Sequence, residues 1–401
     1  MAQLRYRAAV SPLRRRFDDV PAPLPRVEEL VAVERPEEPL HCLRPAAVTA
    51  AARAFLGTFP GEVLYAVKCN PEPAVLRAVW AGGVRHFDCA SAAEVRLVRS
   101  MFPDAAIHFM HPVKSRAAIR EAFAAGVRDF VLDTPEELAK ILAETGNARD
   151  LGLIVRLALP KGGARYDLSG KFGARPAEAA ALLREARPHA ARLGLSFHVG
   201  SQCMDPAAYS RALALAGEVI RDSGVALDIL DVGGGFPVRY PDLDPPPLAD
   251  FADAIAEGFA ALNLPAGTTL WAEPGRALVA GGASVVVQVQ LRRGDALYVN
   301  DGVYGSLSDA GAPGFRFPAR LIRPEGPAPG GTEQGFALFG PTCDSADAMQ
   351  GPFLLPADVQ EGDWIEIGQL GAYGTALRTA FNGFDRARIA EVRDPPMLAA
   401  A

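Results

Sequence analysis

LDILDVGGGFPVRYPDLDPPPLADFADAIAEGFAALNLPAGTTLWAEPGR, residues 227–276, reads as one strand–turn–helix–strand unit. Leu227–Gly233 is a short apolar run ending in glycines, Leu248–Leu262 has helical spacing, and Thr269–Gly275 is a second apolar run. The same alternation extends toward the N-terminus. Further apolar runs are Val63–Lys68, His86–Ala90, Ala106–His111, Asp129–Asp133, Gly152–Ala158 and Leu195–Gly200, making eight in all. The helical stretches between them are Glu72–Ala81, Ala92–Met101, Arg116–Ala125, Pro135–Glu144, Pro176–Leu193 and Pro206–Ser223. Pro135, Pro176 and Pro206 sit where a first helical turn tolerates proline. Strands alternating with helices imply a parallel sheet. Eight units with no dinucleotide fingerprint favour a closed (β/α)8 barrel over an open doubly wound sheet.

After residue 276 the helical pattern nearly disappears. Ala283–Leu291, Ala296–Val299, Ala319–Ile322, Phe336–Leu338 and Asp363–Ile367 read as strands, and the Pro/Gly-rich segment 324–331 separates two of them. The expected organisation is α/β: a barrel over 41–276, an all-β C-terminal domain over 277–401, and a Pro-rich segment 1–40 that joins the β-domain. A chain of 401 residues with 49% hydrophobic and 22% charged content suits two folded domains rather than disorder. Its net charge of −6 gives no broad footprint for nucleic acid, and Arg14-Arg15-Arg16, followed by Asp18 and Asp19, reads as a solvated turn. No run of eighteen apolar residues suggests a membrane span, and the first residues lack the apolar core of a secretory leader. Five scattered cysteines without a CxxC pair fit a reducing cytoplasm. His108 and His111 are expected on opposite faces of one strand, so no metal is expected there.

In such a barrel the chemistry gathers at the C-terminal ends of the strands. The eight runs end near Lys68, Asp88, His111, Asp133, Arg156, His198, Gly233-Gly234-Gly235 and Glu273. Asp133 is expected to cap the helix that begins at Pro135. Lys68 is either a surface lysine at a strand end or an amine whose pKa desolvation at the barrel mouth lowers, freeing it for imine chemistry. The glycine turn 233–235 lets backbone N–H groups approach an anion, and Gly275 and Arg276 of the EPGR turn add close approach and a forked donor. Two such loops after the seventh and eighth strands form a recurrent phosphate site. Glu273 is either an ion-pair partner of Arg276 or a buried carboxylate facing a pyridine nitrogen, which would let pyridoxal phosphate accept electrons.

The segments YAVKCN (65–70), FDCAS (87–91), KFGA (171–174), HVGSQC (198–203), DVGGGFP (231–237), AEPGR (272–276), YVNDGVYGS (298–306), GPTCDSAD (340–347) and GAYGTALRTAFNGF (371–384) span nearly the whole chain. In this order they resemble the fold-type III pyridoxal-phosphate decarboxylases, the family of ornithine, lysine and diaminopimelate decarboxylases. The likeness is greatest to the ornithine branch. The resemblance implies a homodimer with shared active sites, acting on a small amino acid. It makes Lys68 the cofactor-binding lysine, His198 the imidazole stacked on the ring, and Glu273 the partner of the ring nitrogen. It makes Ser201, Gly233, Gly234, Gly235, Arg276 and Tyr373 the phosphate site, with Asp88 and Arg156 beside the lysine and the ring. Cys343 matches the cysteine that enters from the other subunit and returns a proton to Cα. Asp344 matches the carboxylate that receives the distal ammonium, and Asp309 in YGSLSDAG (304–311) a second acid there.

Asp344 favours a diamine-forming reaction, ornithine to putrescine in polyamine synthesis, over diaminopimelate, whose branch tends to carry Glu after the cysteine. Lysine, one methylene longer, is the alternative. An amino-acid racemase would need a second base, and a non-catalytic relative of the antizyme-inhibitor kind would have lost cofactor-site residues that this chain retains. Gln202 departs from the family, where glycine is usual.

Overall fold

In the computed structural model, which describes residues 23–166 and 168–398, the apolar runs close into a barrel. Arg14-Arg15-Arg16 lies outside the described residues. After β1 (Leu40–Leu43) and a helix over Pro45–Thr58 come eight parallel strands. These are β2 (Glu62–Ala66), β3 (His86–Cys89), β4 (Ala106–Phe109), β5 (Asp129–Leu132), β6 (Gly152–Arg156), β7 (Arg192–Ser196), β8 (Ile229–Asp231) and β9 (Thr269–Ala272). Pairing of Glu62 with Trp271 and of Val63 with Ala272 joins β9 to β2 and completes the ring. The helices between strands start where sequence chemistry allows. Ser91, Ser115 and Thr134 accept the N–H of Glu94, Ala118 and Glu137, and Pro45, Pro73, Pro135 and Pro176 occupy first turns.

Several boundaries differ from the sequence reading. Thr134, not Asp133, caps the helix at Pro135; the Asp133 carboxylate instead accepts the Gly173 N–H at 2.9 Å. Pro206 stands just before its helix, Ala207–Ser223, rather than inside the first turn. The helix from Pro176 ends at Ala186, not Leu193, because Pro188 lacks the N–H that would continue the ladder. Consequently β7 starts at Arg192, and His198 falls in the loop beyond it. Helices at Val27–Glu34 and Pro45–Thr58, unmarked in the sequence reading, complete the N-terminal part.

Alternation along the strands sorts the barrel interior into layers. Leu64, Met110, Val131, Ile154, Ile229 and Trp271 form one apolar plug, separate from the larger core between strands and helices. Two residues past Leu64, Ile154, Ile229 and Trp271 come Ala66, Arg156, Asp231 and Glu273, while Asp88 and Ser196 stand two past His86 and Gly194 on their strands. The polar layer at the C-terminal mouth therefore follows from period two. A second polar layer lies below the plug. There His108 pairs with Asp129 at 2.9 Å and touches His86 at 3.1 Å, while Arg192 grips Asp129 with two 2.7 Å contacts. His111 turns its Nδ1 to the Val113 N–H, and no described group of three or more His, Cys, Asp or Glu could hold a metal.

The second sheet contains β10 (Ala283–Arg293), β11 (Ala296–Val299), β12 (Ala319–Ile322), β13 (Glu333–Phe339), β14 (Ala348–Pro356), β15 (Trp364–Ile367) and β16 (Arg388–Glu391). Its main order is β12-β15-β10-β11-β13-β14. β1 joins it, antiparallel to β10 and parallel to β16. Val285, Val287, Phe336, Leu338, Phe353, Ile365 and Ile367 pack its core. No helix among the described residues is long and apolar enough to cross a membrane.

His41 on β1 is fully buried and meets Ser306 Oγ at 3.0 Å. Burial, reinforced by Arg378, pushes its pKa down to about 3. An unfolded chain takes up a proton near pH 6.5 that the native fold refuses. Stability therefore falls as pH drops below 6.5 toward 3. Between pH 7 and pH 5 this residue alone should account for a loss of about 2 kcal/mol. Urea unfolding at both pH values should show that extra loss in the native chain and not in His41→Asn. Equal pH slopes would refute it.

Candidate active site

Lys68 lies just past β2, in the single 3-10 turn Val67–Cys69, where a short turn re-aims the chain over the barrel mouth. Its Nζ donates to Asp88 Oδ2 at 2.7 Å. Burial alone would lower its pKa, but the carboxylates of Asp88 and Glu273 reverse that and hold it well above its ordinary value. The expectation of a neutral amine is thus corrected. The Lys68 side chain is 43% exposed because it borders a cavity, whereas Asp88 beneath it is fully buried. The contact with that carboxylate favours the charged form of the amine.

The cavity, about 440 Å³, is lined by Lys68, Arg156, His198, Ser201, Gly234, Gly235, Glu273, Gly275, Arg276 and Tyr373. Gly233 lies behind this wall. At φ +69, its added Cβ would fall 2.2 Å from the Phe197 carbonyl oxygen. Gly235, at φ +112, would meet the Gly200 oxygen at 2.5 Å. The glycine turn is therefore required by chain contact as well as by backbone conformation. His198 Nδ1 accepts the Gly200 N–H at 3.0 Å, which leaves the proton on Nε2. Burial first, then Arg156 and Lys68, push its pKa well below the usual value, so this ring is neutral.

Glu273 is 5% exposed, and its Oε1 has no hydrogen-bond partner among the described residues. Burial, with repulsion from Asp231 and Asp88, raises its pKa well above the ordinary range. Asp231 also rises, to about 6, chiefly through burial, while its Oδ1 accepts the Gly233 N–H at 2.8 Å. The ion pair of Glu273 with Arg276, one of its two expected roles, is not formed. Arg276 instead donates to Tyr240 Oη and contacts Asp309 Oδ2, both at 2.8 Å. Asp309 is 8% exposed and does not line the cavity.

Gln202 explains its own departure from glycine. Its φ is +56, the left-handed region that glycine enters freely. The fully buried side chain offsets that strain by accepting the Val238 N–H at 2.7 Å and donating to the Val238 oxygen at 2.9 Å. The loop carrying His198 and Ser201 is thereby tied to the glycine turn.

Cys343 and Asp344 are not brought to this cavity within one chain. Cys343 is exposed, its N–H bonded to Asn382 Oδ1 at 3.2 Å. Asp344 accepts from the Ala346 N–H at 2.9 Å and from the Tyr304 hydroxyl. Those two bonds, in that order, hold its pKa below the ordinary value. Asp347 anchors their loop, accepting from Val303 N–H (2.8 Å), Thr342 N–H (3.1 Å) and Thr342 Oγ1 (2.8 Å). An added Cβ at Gly302 or Gly340 would fall 2.0 or 2.2 Å from Asp347 Oδ1, hence the two glycines. Sequence reasoning missed Asp231, Tyr304 and Asp347 as working parts. Each lay inside a quoted motif, and only the strand alternation around Asp231 gave a usable signal.

The residues fit a pyridoxal ring and phosphate. An orphaned carboxyl oxygen, a lysine and a neutral imidazole face one cavity whose far wall combines a glycine turn with an arginine. Comparison with known proteins agrees. Residues 46–280 match the pyridoxal binding domain, and residues 278–371 the C-terminal sheet domain, of the pyridoxal-dependent decarboxylases. The chain is 33% identical to the lysine/ornithine decarboxylase of Selenomonas ruminantium, with 84% of this chain and 85% of that one covered. It is 34% identical to an ornithine decarboxylase of Caenorhabditis elegans, covering 81% and 80% of the two chains. The crystal structure of lysine/ornithine decarboxylase from Vibrio vulnificus complexed with cadaverine superimposes with a TM-score of 0.79 at 34% identity, covering 92% of this chain and 100% of that one. The arginine decarboxylase of Paramecium bursaria Chlorella virus bound to agmatine gives 0.79 at 29% identity, covering 90% and 98%. With fold, cavity and both domain matches in accord, this chain belongs to the fold-type III pyridoxal-phosphate-dependent decarboxylases that act on basic amino acids.

Proposed function

We propose that the chain decarboxylates L-ornithine to putrescine and carbon dioxide, as a cytoplasmic homodimer serving polyamine synthesis. The observation that carries the substrate is Asp344 beside Cys343, a carboxylate held ionised at the exposed tip of an anchored loop. A carboxylate pairs with a distal ammonium far better than with a distal carboxylate. When bound, pyridoxal phosphate supplies an electron sink for the bond broken at Cα. Lys68 is its covalent anchor. Asp88 holds the Lys68 Nζ in place and takes up its charge, while Arg156 and neutral His198 flank the ring. Ser201, Gly233, Gly234, Gly235, Gly275, Arg276 and Tyr373 hold the phosphate. Glu273 shares a proton at Oε1 with the ring nitrogen, a role its raised pKa and unpartnered oxygen support. The barrel residues 41–276 thus carry most of the cofactor site, and 277–401, joined by the N-terminal segment, add Tyr373 to it and carry Cys343 and Asp344 for a neighbour's site.

In the dimer the partner subunit's Cys343 thiol returns a proton to Cα after carbon dioxide leaves. The partner subunit's Asp344 receives the distal ammonium. A lone chain supports this division, because its Cys343 loop is anchored yet exposed and away from its own Lys68.

Carbon dioxide release measured against ornithine, lysine, arginine and diaminopimelate should give ornithine the highest kcat/KM. Lysine should follow within roughly 10–200-fold, the reach of one methylene. Preference for arginine or diaminopimelate would overturn the assignment. Lys68→Ala should fold, with an unchanged circular dichroism spectrum, and lose turnover; native-like turnover would remove its role. Cys343→Ala should slow diamine formation by roughly 10²–10⁴-fold, the usual weight of a positioned acid, and divert product to the aldehyde. Clean diamine at the native rate would exclude it as the acid.

A further inference from the structure

Resting on the phosphate reading of Arg276, we infer that Asp309 is a positioning residue for that guanidinium, and so for the cofactor, rather than a contact to the substrate. Four observations meet at Arg276. Its Nη2 lies 2.8 Å from Asp309 Oδ2, and its Nη1 donates to Tyr240 Oη at 2.8 Å. Its Nε is buried with no partner among the described residues. Its charged carbon stands 4.9 Å from the Phe315 ring and 5.0 Å from the Tyr373 ring. Asp309 sits in the single turn Ser308–Ala310, and its backbone oxygen accepts the Phe315 N–H at 2.9 Å. One short segment therefore delivers both an acid and an aromatic ring to the same guanidinium. Phe315 in turn packs edge-on against Tyr240, with centroids 5.2 Å apart.

The charge balance follows. Arg276 is 7% exposed and Asp309 8% exposed, so neither charge is stable there without the other. An arginine offers five N–H donors in a rigid fork. Tyr240 takes one from Nη1, while the Asp309 carboxylate lies against Nη2 as an ion pair whose Oδ2 makes no hydrogen bond among the described residues. The remaining donors, Nε among them, stay fixed in direction. A guanidinium pinned along one edge presents its other donors to a phosphate without first having to be ordered. A substrate ammonium, by contrast, would have to displace Arg276 to reach Asp309, which does not border the cavity.

The test is cofactor affinity, read by titrating apoenzyme with pyridoxal phosphate and following absorbance. Arg276→Ala and Asp309→Asn are measured beside the native enzyme. Both should bind the cofactor at least about 10-fold more weakly, the weight of one well-placed charged contact. In Asp309→Asn the phosphorus resonance of the bound cofactor should shift, while the KM for ornithine at saturating cofactor stays within about 2-fold, a near-neutral change on the free-energy scale. Should Asp309→Asn fail to fold, Asp309→Ser is read the same way. Unchanged cofactor affinity in the Asp309 variant, with Arg276→Ala weakened, would overturn the inference alone. A raised KM for ornithine with intact cofactor affinity would return Asp309 to the substrate. Unchanged affinity in Arg276→Ala would remove the phosphate reading and this inference together.

Discussion

Three carboxylates, Asp88, Asp231 and Glu273, crowd the barrel mouth above an apolar plug, and the rest of the site is arranged around that excess of negative charge. All three are buried. Buried anions are costly unless they are paired or protonated. Asp88 is paired with Lys68, Asp231 takes the Gly233 N–H, and Glu273 is left with an unpartnered oxygen. Burial above all raises the pKa of Asp231 and Glu273, with repulsion from Asp88 adding to both and repulsion from Asp231 adding to Glu273. On the proposed reading, a basic ring nitrogen at Glu273 would complete the arrangement by sharing a proton with that carboxyl group. Structural cost and cofactor chemistry have the same origin.

That cluster exists because a strand alternates. Trp271 fills the barrel plug while Glu273, two residues on, faces the mouth; Ile229 and Asp231 repeat the relation on β8. A one-residue slip in either strand would send the carboxylate into the helical layer and an apolar side chain into the cavity. The lower polar layer of His86, His108, Asp129 and Arg192 shows the same rule at the other end, where the groups pair with one another. Paired polar groups stabilise a closed end of the barrel. At the upper mouth, incomplete pairing leaves room for a ligand.

Much of this was legible in sequence, for identifiable reasons. Eight apolar runs and the glycine and EPGR turns specify a barrel and one loaded end, because strand ends and glycine turns leave local signatures. The long helix read from Pro176 to Leu193 shows the limit. Alanine-rich sequence carries helical spacing past the real end at Ala186, and only Pro188 marks the break. The charge state of Lys68 was misread because desolvation can be argued from one strand, whereas Asp88 and Glu273 act across two others. The placement of Asp309 against Arg276 was likewise out of reach, since it joins two turns 33 residues apart in sequence. Non-local pairs of charges are the part of a site that sequence patterning conveys least.

On the proposed reading, the residues that would choose among basic substrates are not on the barrel. Cys343 and Asp344 sit on the sheet domain, on a loop whose geometry depends on Asp347 and on two glycines that admit its carboxylate. Solved relatives with lysine/ornithine and with arginine decarboxylase activity share this fold about equally well, so the backbone does not encode the choice. The proposed cofactor site lies mainly at strand ends of one barrel, with Tyr373 added from the sheet domain. On the proposed reading, the substrate's far end is met by a loop of the sheet domain from another subunit. On that reading cofactor chemistry and substrate selection rest largely on separate scaffolds, and a change in loop 340–347 would alter which amine is accepted while leaving the carboxylate cluster at the barrel mouth untouched.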